Sequence, residues 1–235
     1  GLEAGFRAPT LAVGNNAYVR VHSTDSHSLG AFVSDGAKID LGTNATIYSS
    51  TDQSSKLAIG ILSQDAGSET VLNGATILTE QGGANQNGRA LYVYNDGKLT
   101  GNAGKYNIVG DILSVWGGQV DLSMKSASFM HGKIETDNSS KTDLSLTENS
   151  VWEVTDHSYL NHLVNDHSTI DMTQDNGKFT ALTVENLSGN DGVIKMHIDT
   201  SLSGNNSDKL YITDTLTGTQ YIDLYEVNSH TPMGA

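Results

Sequence analysis

The chain has 235 residues, of which 37% are hydrophobic and 6% aromatic, with 25 glycines, two prolines and no cysteine. Its 27 acidic and 13 basic residues give a net charge of -14, which argues against nucleic acid or an anionic membrane as partner, because both select basic surfaces. Without cysteine, disulfides and thiolate metal sites are excluded. The thinly spread apolar residues suit a narrow stack of coils better than a two-layer core.

A short phrase recurs along the first two thirds of the chain. It consists of a turn residue, one or two small polar residues, and then one apolar residue or two separated by a single residue. Such period-two alternation predicts short strands with one buried face, and the Asp-Gly and Gly-Gly pairs predict turns between them. The phrase occurs as DGAKIDL from Asp35, NATIYS from Asn44, GATILTE from Gly74, DGKLT from Asp96, GGQVDL from Gly117, HGKIET from His131, NSVWEVT from Asn149 and HSTIDMT from His167.

Strands this short and regular predict an all-β repeat with almost no helix. A sandwich would need longer strands and an aromatic core, and a propeller would show blade motifs every ~40 residues. A parallel β-helix fits the short strands and irregular spacing. The residues predicted to face its interior are Ile39, Leu41, Ile47, Ile59, Leu62, Val71, Ile77, Leu91, Val93, Ile112, Val120, Leu122, Ile134, Leu144, Leu146, Val151, Val154, Ile170 and Met172.

The pattern changes near Phe179, where alternation becomes longer and cleaner. The stretches FTALTVENLSGNDGVIKMHIDT and DKLYITDTLTGTQYIDLYEV predict longer strands in hairpins, joined by the SGND and SGNNSD turns, which would cap the stack. In this interpretation, one face carries Val193, Lys195 and His197, the opposite face carries Ile194, Met196 and Ile198, and Tyr211, Tyr221 and Tyr225 mark the capped end.

From Ser150 to Asn228 the sequence resembles the C-terminal end of pertactin and AIDA-like autotransporter passengers. The motifs are SVWEVTDHSYLNHL, STIDM, FTALTVENLSGNDGVIKMHIDT and SDKLYITDTLTGTQYIDLYEVN. The resemblance implies a right-handed parallel β-helix with a C-terminal β-hairpin cap, with coils over residues 1–178 and an autochaperone-like region over 179–235. It implies folding and capping roles for Trp152, Phe179, Leu182, Val184, Leu187, Gly189, Gly192, Ile194, Ile198, Asp208, Leu210, Ile212, Gly218 and Leu224.

The same resemblance implies type V export to the bacterial cell surface or medium, ahead of a translocator barrel of the same protein. No barrel strands follow at NSHTPMGA, which favours a passenger fragment acting as an adhesin or virulence factor. Expected partners are the host-cell surface, a matrix protein or glycan, or another copy of the passenger. Binding would use one long sheet face and exposed turns such as GGANQNG, residues 82–88.

No catalytic, cofactor or metal site is predicted. His22 and His27 flank one loop, and His157, His162 and His167 recur at five-residue spacing, which matches no zinc signature. No Gly-x-Ser-x-Gly motif is present. A β-helical polysaccharide hydrolase or lyase is the enzyme alternative. Trp116 has two interpretations: a half-buried strand aromatic, or a surface anchor for a sugar or host protein.

Overall fold

A computed structural model describes residues 1–4, 9–82, 88–173, 178–201 and 206–227. Part of the GGANQNG turn, residues 83–87, lies outside the described residues. The described residues form 24 strands. These are β1 Leu2–Ala4, β2 Thr10–Val13, β3 Tyr18–Ser23, β4 Ser28–Val33, β5 Lys38–Leu41, β6 Ala45–Thr51, β7 Ala58–Gln64, β8 Glu69–Leu72, β9 Ala75–Gln81, β10 Arg89–Tyr94, β11 Lys98–Gly104, β12 Asn107–Val109, β13 Asp111–Val115, β14 Gln119–Met124, β15 Phe129–His131, β16 Ile134–Thr136, β17 Lys141–Leu146, β18 Val151–Glu153, β19 Ser158–Asn165, β20 Thr169–Asp171, β21 Ala181–Ser188, β22 Gly192–Asp199, β23 Lys209–Leu216 and β24 Gln220–Val227.

The strands stack into three parallel sheets, and successive strands along the chain visit the sheets in turn. Sheet A has the order β1-β4-β7-β10-β13-β16, sheet B runs β2-β5-β8-β11-β14-β17-β19-β21-β23, and sheet C runs β3-β6-β9-β12-β15-β18-β20-β22-β24. This arrangement confirms the predicted parallel β-helix. Across the described ranges, the structure has no helix of the length and apolarity needed to span a membrane.

The core consists of columns of like side chains, one from each coil. In sheet C one column runs from Ile47 through Ile77, Ile108, Met130, Trp152 and Ile170 to Ile194, and all seven are buried. Parallel strands lie about 4.8 Å apart, so aliphatic side chains in one column pack directly on one another. Trp152 is fully buried, and its indole N–H donates to the Gly132 carbonyl at 2.9 Å.

Buried serines explain why a small polar residue follows the turn residue in the repeated phrase. The Oγ of Ser128 accepts a hydrogen bond from the Tyr106 N–H at 2.9 Å, Ser150 accepts from the Ser128 N–H at 3.3 Å, and Ser168 accepts from the Ser150 N–H at 3.1 Å. Each hydroxyl therefore accepts a hydrogen bond from a buried N–H of the preceding coil. The contacts lie at the corner between sheets B and C, where the strand ladder is interrupted.

Three residues predicted to face the interior instead face outward, namely Leu62, Val71 and Val151. The predictions for these residues were wrong, because alternation alone does not say which half of the residues is buried. In β8, for example, Thr70 and Leu72 point inward and are fully buried, because Leu72 is in register with Leu41 of the preceding coil.

The cross-section of the stack changes at β19. Sheet A ends with β16, whereas β19, β21, β22, β23 and β24 each have eight residues. The longer strands therefore occur as predicted, but β21 and β22, which flank the SGND turn, lie in different sheets and form no hairpin, and residues 202–205 around the SGNNSD turn lie outside the described residues. β21 pairs in parallel with β23 and β22 pairs in parallel with β24. The only antiparallel contact among the described residues outside these ladders is the single bridge between Ile198 and Ser207. The division at residues 178–179 stays a prediction.

Candidate functional site: the C-terminal coils and the outward faces

The longest strand ladder among the described residues joins the last two strands of sheet C. β22 and β24 pair over eight residues, from Gly192 with Gln220 to Asp199 with Val227. The preceding sheet C strands, β12, β15, β18 and β20, have three residues each. Every added pair contributes backbone hydrogen bonds and side-chain packing. The eight-residue ladder therefore joins its two coils more strongly than the three-residue strands join theirs.

A buried carboxylate fastens the last coils together. Asp208 is 2% exposed, and its two oxygens accept hydrogen bonds from the backbone N–H groups of Thr180 at 2.7 Å and His197 at 2.6 Å. Its own N–H donates to the His197 carbonyl at 3.0 Å. One side chain thus joins the starts of β21 and β23 to the end of β22, and a hydrogen-bonded charge of this kind is a strong local constraint.

A second polar contact spans the corner between sheets B and C. The fully buried Asn165 donates through Nδ2 to Gln220 Oε1 at 2.9 Å, while Gln220 Nε2 donates to the Asn165 carbonyl at 3.1 Å. A Cβ at Gly192 would lie 2.4 Å from the backbone carbonyl oxygen of Asn165, and one at Gly218, where φ is +87°, would lie 2.1 Å from the Gly189 carbonyl oxygen. Glycine is therefore required at both positions for the coils to approach.

The residues predicted for folding and capping lie in three environments. The fully or nearly fully buried ones are Trp152, Leu182, Val184, Leu187, Gly192, Ile194 and Asp208. Phe179, Gly189, Ile198, Leu210 and Ile212 are half-buried, and Gly218 and Leu224 are exposed. Sequence reasoning missed Thr180, His197, Asn165 and Gln220, whose roles depend on contacts with distant coils. The signal that could have helped is the polar Ser-Asp pair immediately before β23.

The final described coil presents its core face to solvent. Leu210 and Ile212 lie over the buried Leu182 and Val184, and Ile222 and Leu224 lie over Ile194 and Met196. Ile222 is 55% exposed and Leu224 60%. Within the described residues, the predicted cap is therefore an open sheet edge with an apolar face, which is the kind of surface on which a further coil can stack.

One predicted alternation fails at the end of β22. His197 was expected to face outward with Val193 and Lys195, but it is 5% exposed, while Ile198 is half-buried. The regular alternation ends because the chain turns here, where the His197 backbone bonds Asp208 and Ile198 bridges Ser207.

The outward face of sheet B is charged. Glu69 lies between two lysines of neighbouring coils, with Lys38 Nζ 2.6 Å and Lys98 Nζ 3.4 Å from its oxygens, and Thr100 also donates to it at 3.1 Å. The hydrogen bond from Lys38 is the main cause that lowers the pKa of Glu69. Lys38, Glu69 and Lys98 line a shallow depression of about 300 Å³. Exposed ion pairs of this kind contribute little stability and keep the face soluble.

The histidines singled out in the sequence have separate partners. His22 Nε2 is 3.6 Å from Asp52, His162 Nδ1 is 3.0 Å from Asp143, and His157 Nδ1 accepts the Ala181 N–H at 2.9 Å. In the part of the chain that the structure describes, no three His, Asp or Glu side chains form a group that could hold a metal ion.

Comparison with known proteins gives one family match that lies in these coils and two similar relatives. The pertactin family model matches residues 160–234. The chain is also 41% identical over 108 residues to YcgV of Escherichia coli O157:H7, and 40% identical over 108 residues to the protein named "Probable autotransporter YcgV" of Escherichia coli strain K12. Each alignment covers 44% of this chain, but 19% and 11% of the respective relatives.

The chain thus spans a fifth or less of the length of the curated relatives that it matches. The pertactin match covers β19, apart from the first two residues of that strand, and all of β20 to β24. It also includes the buried Asp208 and the Asn165–Gln220 contact. The relatives and the parallel coils agree with the resemblance noted in the sequence. Residues 160–234 are thus similar to pertactin, the chain is similar over 108 residues to a probable autotransporter, and its described residues form a parallel β-helix.

Proposed function

We propose that the chain acts as a surface-displayed or secreted adhesive passenger whose C-terminal coils promote folding after outer-membrane translocation. The observation that carries the folding role is the eight-residue ladder between β22 and β24, in the segment that matches pertactin. A β-helix grows by adding strands to an existing edge, so the coils with the longest ladders form the most effective template.

Templating needs an edge that is ordered before the rest of the chain. Asp208 and the Asn165–Gln220 pair give the last coils hydrogen bonds that do not depend on the coils upstream of β17. Each preceding coil then gains a preformed row of backbone groups and a column of apolar side chains. The loop-closure entropy of each addition is small, because only about twenty to thirty residues separate neighbouring coils.

The adhesive role rests on surface chemistry. Stacked coils present long outward faces made of side chains from successive turns, so binding can use many weak contacts. The partners we propose are a host-cell surface, a matrix protein or glycan, or another copy of the passenger. The protein's own translocator barrel is the partner in export. A non-catalytic role is part of this proposal.

Deletion of residues 179–228 tests the folding role. We expect refolding of the remaining coils from urea to slow by roughly tenfold or more, because the template edge is lost, and protease resistance to fall. Removal of residues 1–51, a segment of similar length, is the control and should leave the refolding rate of the other coils nearly unchanged. Equal refolding rates for the two truncated chains would contradict the folding role.

Adhesion is tested with beads that carry the purified chain at uniform density. We expect them to bind epithelial cells or immobilised matrix proteins and glycans above the level of beads carrying a β-helix of unrelated sequence and similar charge. Aggregation of the beads with one another would indicate self-association. If the beads bind neither cells, matrix, glycans nor each other, the adhesive part of the proposal fails while the folding part stands.

A further inference from the structure

Trp116 occupies a backbone conformation that tryptophan rarely adopts. The turn from sheet A to sheet B has positive φ at both central residues in three coils, which is the signature of a type I′ turn. In two of them the first central residue is Asp35 (φ 55°) or Asn95 (φ 53°), but in the third it is Trp116 (φ 51°), followed by Gly117 (φ 83°). A bulky residue with positive φ is costly, and such strain concentrates at functional positions.

Folding does not account for this tryptophan, because its side chain is 68% exposed. It lies instead against an aromatic strip on the outward face of sheet A. The ring of Tyr94 meets Trp116 edge-on, with the centroids 6.1 Å apart at 73°, and stacks on Tyr92 with the centroids 5.2 Å apart at 28°. The guanidinium of Arg89 covers Tyr92, 4.6 Å from the centroid. Three consecutive rings thus form a short, half-exposed row.

Polar planar side chains border the row on one side. Tyr94 donates its hydroxyl hydrogen to Gln64 Oε1, while Gln64 Nε2 and Asn95 Nδ2 donate to the two oxygens of Asp65 at 3.2 and 2.6 Å. These residues come from neighbouring coils, so they lie alongside the rings. The carboxylate of Asp65 keeps free lone pairs, and the amides keep further donors.

Asp137 of the following coil holds the tryptophan turn in place. Its Oδ2 accepts the Trp116 N–H at 2.8 Å. Desolvation of the carboxyl opposes ionisation, but hydrogen bonds from the Trp116 N–H and from Ser139 and Ser140 lower the pKa of Asp137 to about 2. The carboxylate is therefore ionised at neutral pH, and the turn that presents the indole is fixed.

We propose that Trp116, Tyr94 and Tyr92, with the polar border of Gln64, Asp65 and Asn95, form a binding site for a neutral oligosaccharide. Sugar rings offer C–H faces that pack on aromatic rings and hydroxyls that donate to carboxylates and amides, which matches a site of apolar rings with a few placed polar groups. The inference deepens the adhesive role proposed above by naming the class of ligand.

Charge and size favour this ligand over the alternatives. The net charge of -14 and the acidic side chain of Asp65 at the border disfavour a polyanionic glycan and a second copy of the chain. Three rings are also too small a patch for a protein interface, which buries ~1,200–2,000 Å² in total. Trp116, the most exposed of the three rings, instead offers an open face on which one sugar unit can pack, with Tyr94 and Tyr92 packed beside it.

Calorimetric titration of the full chain with cellotetraose and with tetra-N-acetylchitotetraose tests the site. We expect at least one of them to bind with Kd of about 0.1–1 mM, with a blue shift of Trp116 fluorescence. Trp116→Asn should weaken binding by about tenfold or more. The same change should leave the urea midpoint unchanged or raise it, since asparagine suits the turn.

Tyr18→Ser is the matched control, because Tyr18 is an equally exposed aromatic (67%) on sheet C. The Tyr18→Ser chain should bind the oligosaccharides as the parent chain does. Tyr92→Ser retains the Trp116 fluorescence and should weaken binding several-fold. Failure of both oligosaccharides to bind, equal binding by Trp116→Asn, or stronger binding of heparin tetrasaccharide would overturn the proposal. If Trp116→Asn beads still adhere to cells like the parent, the site is refuted while the adhesive role stands.

Discussion

Ile194→Asp is expected to lower the free energy of unfolding of the C-terminal coils by about 3–5 kcal/mol, because it places a carboxyl in the core without a partner. Ile194 is fully buried and lies in the sheet C column between Ile170 and Ile222. Urea unfolding followed through Trp152, which lies two positions earlier in this column, measures the effect.

The control for this change is the next residue of the same column. Ile222 is 55% exposed, so Ile222→Asp should change stability by less than about 0.5 kcal/mol. The pair keeps the residue type, the sheet and the column constant and varies burial alone. Similar losses from both substitutions would contradict the open edge described here, because they would mean that Ile222 is covered in solution.

Asp208→Ala is expected to cost about 2–5 kcal/mol, since it leaves two buried backbone N–H groups without an acceptor. These are the N–H groups of Thr180 and His197, at 2.7 and 2.6 Å from the carboxylate. The loss should be local. Amide hydrogen exchange should therefore accelerate in β21 to β24, while the coils before β14 keep their protection.

Asp214→Ala provides the comparison, because Asp214 lies on the same strand, β23, and is exposed. It removes the same charge and should leave both the urea midpoint and amide exchange nearly unchanged. An Asp208→Ala chain with the exchange pattern of Asp214→Ala would show that the carboxylate is not needed to join the last coils.

The repeated phrase predicted the parallel coils because it contains both the polar residue at the corner of a coil and the apolar residues of its core. Ser150 and Ser168 follow the turn residue in two of the quoted phrases and accept hydrogen bonds from N–H groups of the coil before. The apolar residues that come next, such as Trp152 and Ile170, stack in one column. A local pattern sufficed here, since each coil repeats the environment of its neighbour.

Alternation was less informative where both faces carry apolar residues. Leu62, Val71 and Val151 were predicted to face inward, yet they lie on the outer surface. The side that is buried depends on register with the adjacent coil, which a single strand does not encode. The hairpins expected at the SGND turn likewise became parallel coils, because each long strand pairs with the strand of the previous coil.

By itself the sequence determined the short strands, their turns, the narrow core and the resemblance of the C-terminal coils to pertactin. Only the tertiary structure decided that Asp208 meets Thr180 and His197, that Asn165 meets Gln220 across 55 residues, and that Trp116 lies beside Tyr94. The physical reason is that coil stacking joins residues some twenty to thirty positions apart. Their proximity depends on the length of every intervening turn, whereas strand propensity and alternation depend only on neighbours along the chain.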